Sequence, residues 1–238
     1  MMMLNLLFTK DGLQYRTFNQ RKILEEKSFF ADENSPQDLI FNELSKILKS
    51  QKFTDISVIS AINHFTLMPS GFKEHDSGFD LIALNADVQR DREELMLSVN
   101  RKYAVQFYYS FPLGFYREIK SLNTRTRFNF SGEKFLNSLQ TKAGKEIHVN
   151  LYHNQCEFFA LDKGRVILYN NLDANSEVDF LYFVMFTLKK LKFEIAETKF
   201  FLYGEVIENE TFTTELQKFA PDVNIVFANS SGKNFMLS

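Results

Sequence analysis

Four histidines, one cysteine and a single acid-glycine turn are the groups in this chain whose types could do chemistry. His64 stands alone, His75 precedes Asp76, and His148 and His153 flank the end of one apolar run. Histidines that share a metal lie on one face of an element, whereas this last spacing across a strand end separates the two rings. All four read as packed or solvated imidazoles. Cys156 has no nearby histidine or helix start to depress its thiol, so it reads as a small buried apolar residue. Arg117, Lys120, Arg125 and Arg127 interleave with Tyr116, Phe128 and Phe130. Nucleic acid could use such a pattern, but it reads first as a solvated helix face beside core aromatics. What remains is Thr9-Lys10-Asp11-Gly12, in which Asp-Gly is the commonest two-residue hairpin signal.

The elements that carry these groups come in two copies. The first opens with the apolar run Met3 to Phe8, turns at Lys10-Asp11-Gly12, and continues through strand-like runs Leu13 to Phe18 and Ile23 to Phe30. A helix follows, with Ser35 as N-cap, Pro36 at its first position and Asp38 three residues after the cap. The second copy opens with Ile147 to Tyr152, turns at His153-Asn154-Gln155, and gives runs Cys156 to Leu161 and Val166 to Tyr169 around a turn at Asp162-Lys163-Gly164. Ser176, Glu177 and Asp179 repeat the cap. Both helices end in lysines, Lys46, Lys49 and Lys52 against Lys189, Lys190 and Lys192, where positive charge complements the helix dipole. Each helix then runs into another strand, Ile56 to Ile62 and Lys199 to Tyr203, the latter ending at Gly204. The order of three strands, helix and strand, repeated once, predicts an α/β protein of two similar subdomains, residues 1–144 and 145–238, divided near Gly144.

Between the copies, Tyr103 to Phe111 predicts a buried strand, Phe115 to Leu122 a helix, Arg127 to Phe130 a short strand and Glu133 to Leu139 another helix. Asp87 to Glu94 is dense in mixed charge and reads as a solvated loop or helix start. Phe180 to Leu191 is nearly all apolar, which predicts a helix covered all round; failing that cover, it marks a partner surface.

Composition narrows the classes. At 238 residues the chain is long enough for two subdomains, and its 45% apolar and 24% charged residues are ordinary for a globular protein. A net charge of −2 argues against broad capture of nucleic acid or anionic membrane. One cysteine precludes an intrachain disulfide, in keeping with a cytoplasmic setting. The longest apolar run, Phe180 to Phe186, is far below the roughly 20 residues of a membrane span.

Three segments carry a resemblance: Phe65 to Phe72 (FTLMPSGF), Tyr103 to Pro112 (YAVQFYYSFP), and Asn170-Asn171 to Tyr182 leading to Leu202-Tyr203-Gly204. With the duplicated βββαβ order, the chain resembles the duplicated ribonuclease-H-like fold of the actin, hexokinase and heat-shock ATPase superfamily. More narrowly, it is similar to an uncharacterised bacterial family, domain of unknown function 3822. The resemblance implies two ribonuclease-H-like subdomains in an actin-like ATPase arrangement, with a phosphate loop at the first hairpin of each and a glycine at the end of a later strand for the adenosine side. Carried onto this sequence, those positions are Thr9, Asp11 and Gly12 in the first hairpin and Gly204 after the later strand. The second hairpin has neither acid nor glycine, and Tyr152, His153 and Gln155 are bulky. The expectation is therefore a non-catalytic actin-like scaffold or interaction protein, with no cofactor, no ordered metal and a protein partner of unknown kind. The alternative is an ATP- and magnesium-binding ATPase or phosphotransferase using Thr9, Asp11, Gly12 and Gly204.

Overall fold

The structure, a computed structural model, describes residues 2–20, 22–31, 37–72, 77–139, 141, 143–152, 155–174, 176–204, 206–220, 222–226 and 235–237. It divides into two compact units, Met1–Lys134 with Met236–Ser238, and Phe135–Phe235.

In the first unit, β1 (Met2–Phe8), β2 (Gly12–Asn19) and β3 (Lys22–Phe30) form an antiparallel meander. The amide of Thr9 donates to the carbonyl of Gly12 at 3.0 Å and closes the first turn. Helix α1 (Gln37–Ser50) buries Ile40, Leu44, Ile47 and Leu48, a three-to-four spacing that makes one apolar stripe. That stripe packs on Leu4, Leu6 and Phe8, the alternate residues of β1. The helix is the crossover that lets β4 (Asp55–Ser60) pair parallel to β1. The expected cap Ser35 and its neighbour Pro36 lie outside the described residues.

An antiparallel sheet is inserted after β4. Its strands are β5 (Phe65–Pro69), β6 (Glu93–Asn100) and β7 (Val105–Pro112), in the order β5-β7-β6, with α2 (Gly78–Ala83) between the first two. The charged stretch read as a loop or helix start thus ends inside β6. Its alternation of Glu94, Met96 and Ser98 with Leu95, Leu97 and Val99 pairs edge to edge with the buried β7. Helix α3 (Leu113–Lys120) then leads to β8 (Arg125–Phe130), which pairs parallel with β4 and completes the order β3-β2-β1-β4-β8. Phe8, Phe111 and Phe115 join the two sheets, with ring centroids 5.1 Å apart for Phe8–Phe111 and for Phe8–Phe115.

After α4 (Ser131–Ser138), the second unit repeats the plan. Strands β9 (Lys145–Tyr152), β10 (Gln155–Asp162) and β11 (Arg165–Asp173) form a meander, α5 (Glu177–Leu191) crosses over, and β12 (Thr198–Gly204) pairs parallel to β9. Helix α6 (Val206–Gln217) and β13 (Val223–Ile225) end a sheet of order β11-β10-β9-β12-β13, strand for strand the order of the first. Ile147, Val149 and Leu151 occupy the core face of β9 as Leu4, Leu6 and Phe8 do in β1. The β10–β11 turn places Lys163 at φ 50° and Gly164 at φ 76°, the two left-handed residues a tight primed hairpin requires. Ser176 caps α5 by accepting from the amide of Asp179 at 3.2 Å.

Helix α5 corrects one expectation. Phe180, Val184 and Leu188 are buried, but the opposite side is open: Val178 is 69% exposed, Tyr182 62% and Phe186 46%. One helix on one sheet face can bury only one stripe, so an all-apolar sequence leaves the rest in water.

The chain finally returns to the first unit. Leu237 accepts a 3.0 Å hydrogen bond through its carbonyl from Nδ2 of Asn5, and the Met236 carbonyl accepts one of 2.6 Å from Lys134 Nζ.

Candidate functional site

The parallel pair β1 and β4 ends at one side of the first sheet, and ligands of open α/β sheets bind beyond the carboxyl ends of such strands. The amide of Ala61 donates to the Phe8 carbonyl at 2.7 Å, which holds the segment after β4 against the β1–β2 turn. A cavity of about 260 Å³ opens there. Its apolar wall is Phe8, Ile40, Ile62, Pro112 and Phe115, and its polar corner is Thr9, Lys10, His64, Glu93 and Ser110.

Sheet register assembles that corner. His64 precedes β5, Ser110 lies on β7 and Glu93 opens β6, and the pairings Phe65–Tyr109 and Glu93–Pro112 bring the three together. Glu93 Oε2 accepts from the Ser110 hydroxyl and faces His64 Nδ1 at 3.2 Å, while Oε1 accepts from the Gln89 amide at 3.2 Å. The carboxylate is the hub of the cluster. Because Ser110 donates to Glu93 and not to His64, the geometry differs from a serine–histidine–acid relay, in which the imidazole takes the hydroxyl proton. With Nδ1 committed to Glu93, the imidazole is held in a fixed orientation beside the cavity.

Of the residues predicted for a phosphate site, Thr9 and Gly12 line this cavity. Asp11, at the turn, is exposed and does not line it. A side chain at Gly12 would place its Cβ 2.5 Å from Cδ1 of Phe30 and 2.9 Å from the Thr9 hydroxyl, so the glycine admits a neighbouring ring. Gly204 belongs to the second unit, at the end of β12, with φ 101° and in register with Leu151. In the second hairpin, Tyr152 and Gln155 are buried, while His153 and Asn154 lie outside the described residues. His75 and Asp76 also lie outside them. Sequence reasoning missed His64, Glu93 and Ser110 as a group, because only the pairing of the inserted sheet unites them.

The second unit has a buried polar layer on the β9 face opposite its core. His148 Nδ1 lies 2.9 Å from the Tyr203 hydroxyl and Nε2 3.0 Å from Glu146 Oε2. Asn150 Nδ2 donates to Glu157 Oε2 at 3.1 Å, and the Tyr169 hydroxyl to its Oε1 at 2.8 Å. Burial pushes the His148 pKa down to about 3, so the ring is neutral at pH 7. Its single N–H points to Glu146, and Nδ1 accepts from Tyr203. Cys156 is buried among apolar residues and its thiol pKa is raised, first by burial and then by Glu157, which fits a structural thiol. Lys120 lies over the rings of Tyr116 and Phe128, at 5.8 and 5.5 Å, and Phe130 is in the core, so the basic-aromatic interleave is the edge of a packed cluster.

Also in the second unit, a groove of about 450 Å³ runs between β11 and α5. Leu168 and Leu172 form one bank, and Tyr182, Phe183 and Phe186 the other. No helix is long and apolar enough to cross a membrane, and no group of three His, Cys, Asp or Glu placed to hold a metal ion occurs, both among the described residues.

The fold has known counterparts. A Bacteroides thetaiotaomicron protein with an actin-like ATPase fold and unknown function superposes with a TM-score of 0.78 at 18% identity, covering 94% of this chain and 90% of that one. The PilM-PilN type IV pilus biogenesis complex gives a TM-score of 0.60 at 8% identity, covering 95% of this chain and 90% of that one. The cytoplasmic domain of EpsL, an inner membrane component of the type II secretion system of Vibrio cholerae, gives 0.53 at 7%, covering 100% and 92%. No curated protein matches the sequence. At these identities the likeness shows the fold, which is that of the actin-like ATPases. The sequence itself matches the family described as Protein of unknown function (DUF3822) over residues 2–223, and with its duplicated sheets the chain belongs to that family.

Proposed function

We propose that this protein acts by binding a protein partner and does not turn over nucleotide: a non-catalytic scaffold on an actin-like frame. The observation that carries the reading is the open aromatic face of α5, where Tyr182 and Phe186 border an apolar groove. Exposed apolar surface next to a groove is characteristic of an interaction site. The first hairpin supports the same reading. Magnesium-bound phosphate needs a carboxylate turned toward it and an open glycine backbone. Asp11 lies outside the cavity, Glu93 already receives hydrogen bonds at both oxygens, and the space beside Gly12 holds Phe30. The residues present therefore fit that group poorly. PilM and EpsL are named as parts of larger assemblies, a precedent for such a role on this fold. A buried lone thiol, Cys156, is in keeping with a reducing cytoplasmic setting.

A second reading, a nucleotide-binding ATPase or phosphotransferase, is favoured by one observation: Thr9, Lys10 and Gly12 do line a cavity at the ends of β1 and β4. Isothermal titration with ATP and magnesium separates the two. The scaffold reading expects no heat of binding and no rise in melting temperature, whereas a ligand at a hundred times its Kd adds about 2.7 kcal/mol of stability. A micromolar Kd abolished by Asp11→Ala overturns the scaffold reading.

A further inference from the structure

The polar corner of the first-unit cavity has its protons already committed. The Ser110 hydroxyl donates to Glu93 Oε2, the Gln89 amide donates to Oε1 at 3.2 Å, and His64 Nδ1 lies 3.2 Å from Oε2. An ionised carboxylate only accepts, so Nδ1 carries the hydrogen and Nε2 of the neutral ring is left as an acceptor. A hydroxyl has a single proton, so Ser110 likewise keeps only lone pairs. Glu93 takes three donors of the about four that a carboxylate accommodates, which leaves it one place and its negative charge. Carboxylate, hydroxyl oxygen and imidazole nitrogen therefore all offer acceptors beside one space.

The backbone holds these acceptors in place. Ser110 is buried, and its amide donates to the His64 carbonyl at 3.0 Å, which ties the segment carrying the imidazole to β7. Opposite them stand Phe8, Ile40, Ile62, Pro112 and Phe115. The space of about 260 Å³ is smaller than the roughly 300–1,000 Å³ of pockets for drug-sized ligands, so it suits a small occupant.

A primary ammonium has three N–H donors, one positive charge and no acceptor. The corner presents the complement: three accepting groups and one negative charge. We infer that this cavity binds a small primary amine, with its ammonium held by Glu93, Ser110 and His64 and its apolar body against Phe8, Ile62 and Phe115. Hydrogen bonds between two ionised groups are the strong ones, and a cation leaving water needs such partners. A carboxylate or phosphate in the same corner meets lone pairs and the Glu93 charge, so the arrangement that selects an amine also rejects anions. Lys10 lines the cavity too, but it is exposed at the turn, where solvent screens its charge.

Isothermal titration of the whole chain with phenethylamine is the test. A Kd of about 1 mM or tighter is expected for a ligand of this size. Phenethyltrimethylammonium keeps the ring and the charge but has no N–H, and hydrocinnamate keeps the ring and reverses the charge. Each is expected to bind about tenfold more weakly or worse, because a site built for N–H donors rejects an analogue without them. Glu93→Gln removes the charge with little change of shape and is expected to weaken the amine by about tenfold or more. Should that variant fail to fold, His64→Phe removes the ring nitrogens at a position whose side chain is 32% exposed, and a loss of about fivefold is expected. No heat at millimolar amine overturns the proposal, as does equal binding of either analogue, or an affinity indifferent to the variant that folds. The cavity belongs to the first unit and α5 to the second, so failure of amine binding leaves the scaffold reading standing.

Discussion

His148 and Tyr203 meet at 2.9 Å inside the second unit, on a face of the sheet with no access to water. Burial lowers the imidazole pKa from 6.5 to about 3, so the folded chain declines a proton that the unfolded chain accepts. Below the unfolded pKa, the unfolded state therefore binds more protons, and stability falls with falling pH through that window. Urea unfolding is expected to lose on the order of 1.4 kcal/mol per pH unit from this group between about pH 6 and pH 4. His148→Asn removes the titrating group and is expected to flatten that slope. An unchanged slope in the variant rules out His148 as its source.

Gly12 is expected to tolerate no side chain. Gly12→Ala drives a methyl group into the Phe30 ring, at a cost of about 1 to 3 kcal/mol. Shortening the ring relieves the clash, so Phe30→Ala combined with Gly12→Ala is expected to cost less than the two single changes added together. A double-mutant cycle in denaturant measures the difference, and strict additivity counts against the packing role of this glycine.

Removing the hub of the cavity leaves its neighbour stranded. In Glu93→Ala the buried Ser110 hydroxyl loses its acceptor, and destabilisation of about 1 to 3 kcal/mol is expected. Ser110→Ala in the same background is expected to recover part of it, because the stranded hydroxyl is then gone. Thermal melts of the three variants decide the matter.

The cores of the two units are expected to answer to equivalent changes. Leu6 and Val149 hold matching positions on β1 and β9, both fully buried. Leu6→Ala is expected to cost about 2 to 5 kcal/mol and Val149→Ala somewhat less, since fewer methyl groups are removed. Hydrogen exchange on each variant is expected to show the larger loss of protection in the unit that carries the change.

The duplicated architecture could be read from the sequence because its signals are local. Alternating apolar runs, the Lys163-Gly164 turn and the Ser176 cap each act within a few residues, and each stands in the structure at its expected place. β6 escaped notice because its first residues, Glu93 and Glu94, carry charge, and only pairing with β7 makes a strand of them. The cavity was illegible for the same reason: His64, Glu93 and Ser110 belong to three segments, and nothing in any one of them announces the other two. In the first hairpin, sequence grouped Thr9, Asp11 and Gly12, whereas the turn sends Asp11 outward and leaves its two companions on the cavity wall. α5 was legible as a helix but not in its exposure, since an apolar sequence does not say how many neighbours the fold will supply.

The hydrogen bonds that Leu237 and Met236 accept from Asn5 and Lys134 set an order of assembly. Asn5 is made before the second unit, and its partner Leu237 follows only after that unit. Until then the first unit lacks these two hydrogen bonds. Synthesis that stalls within β12 or α6 therefore yields a first unit without the contacts that Met236 and Leu237 supply.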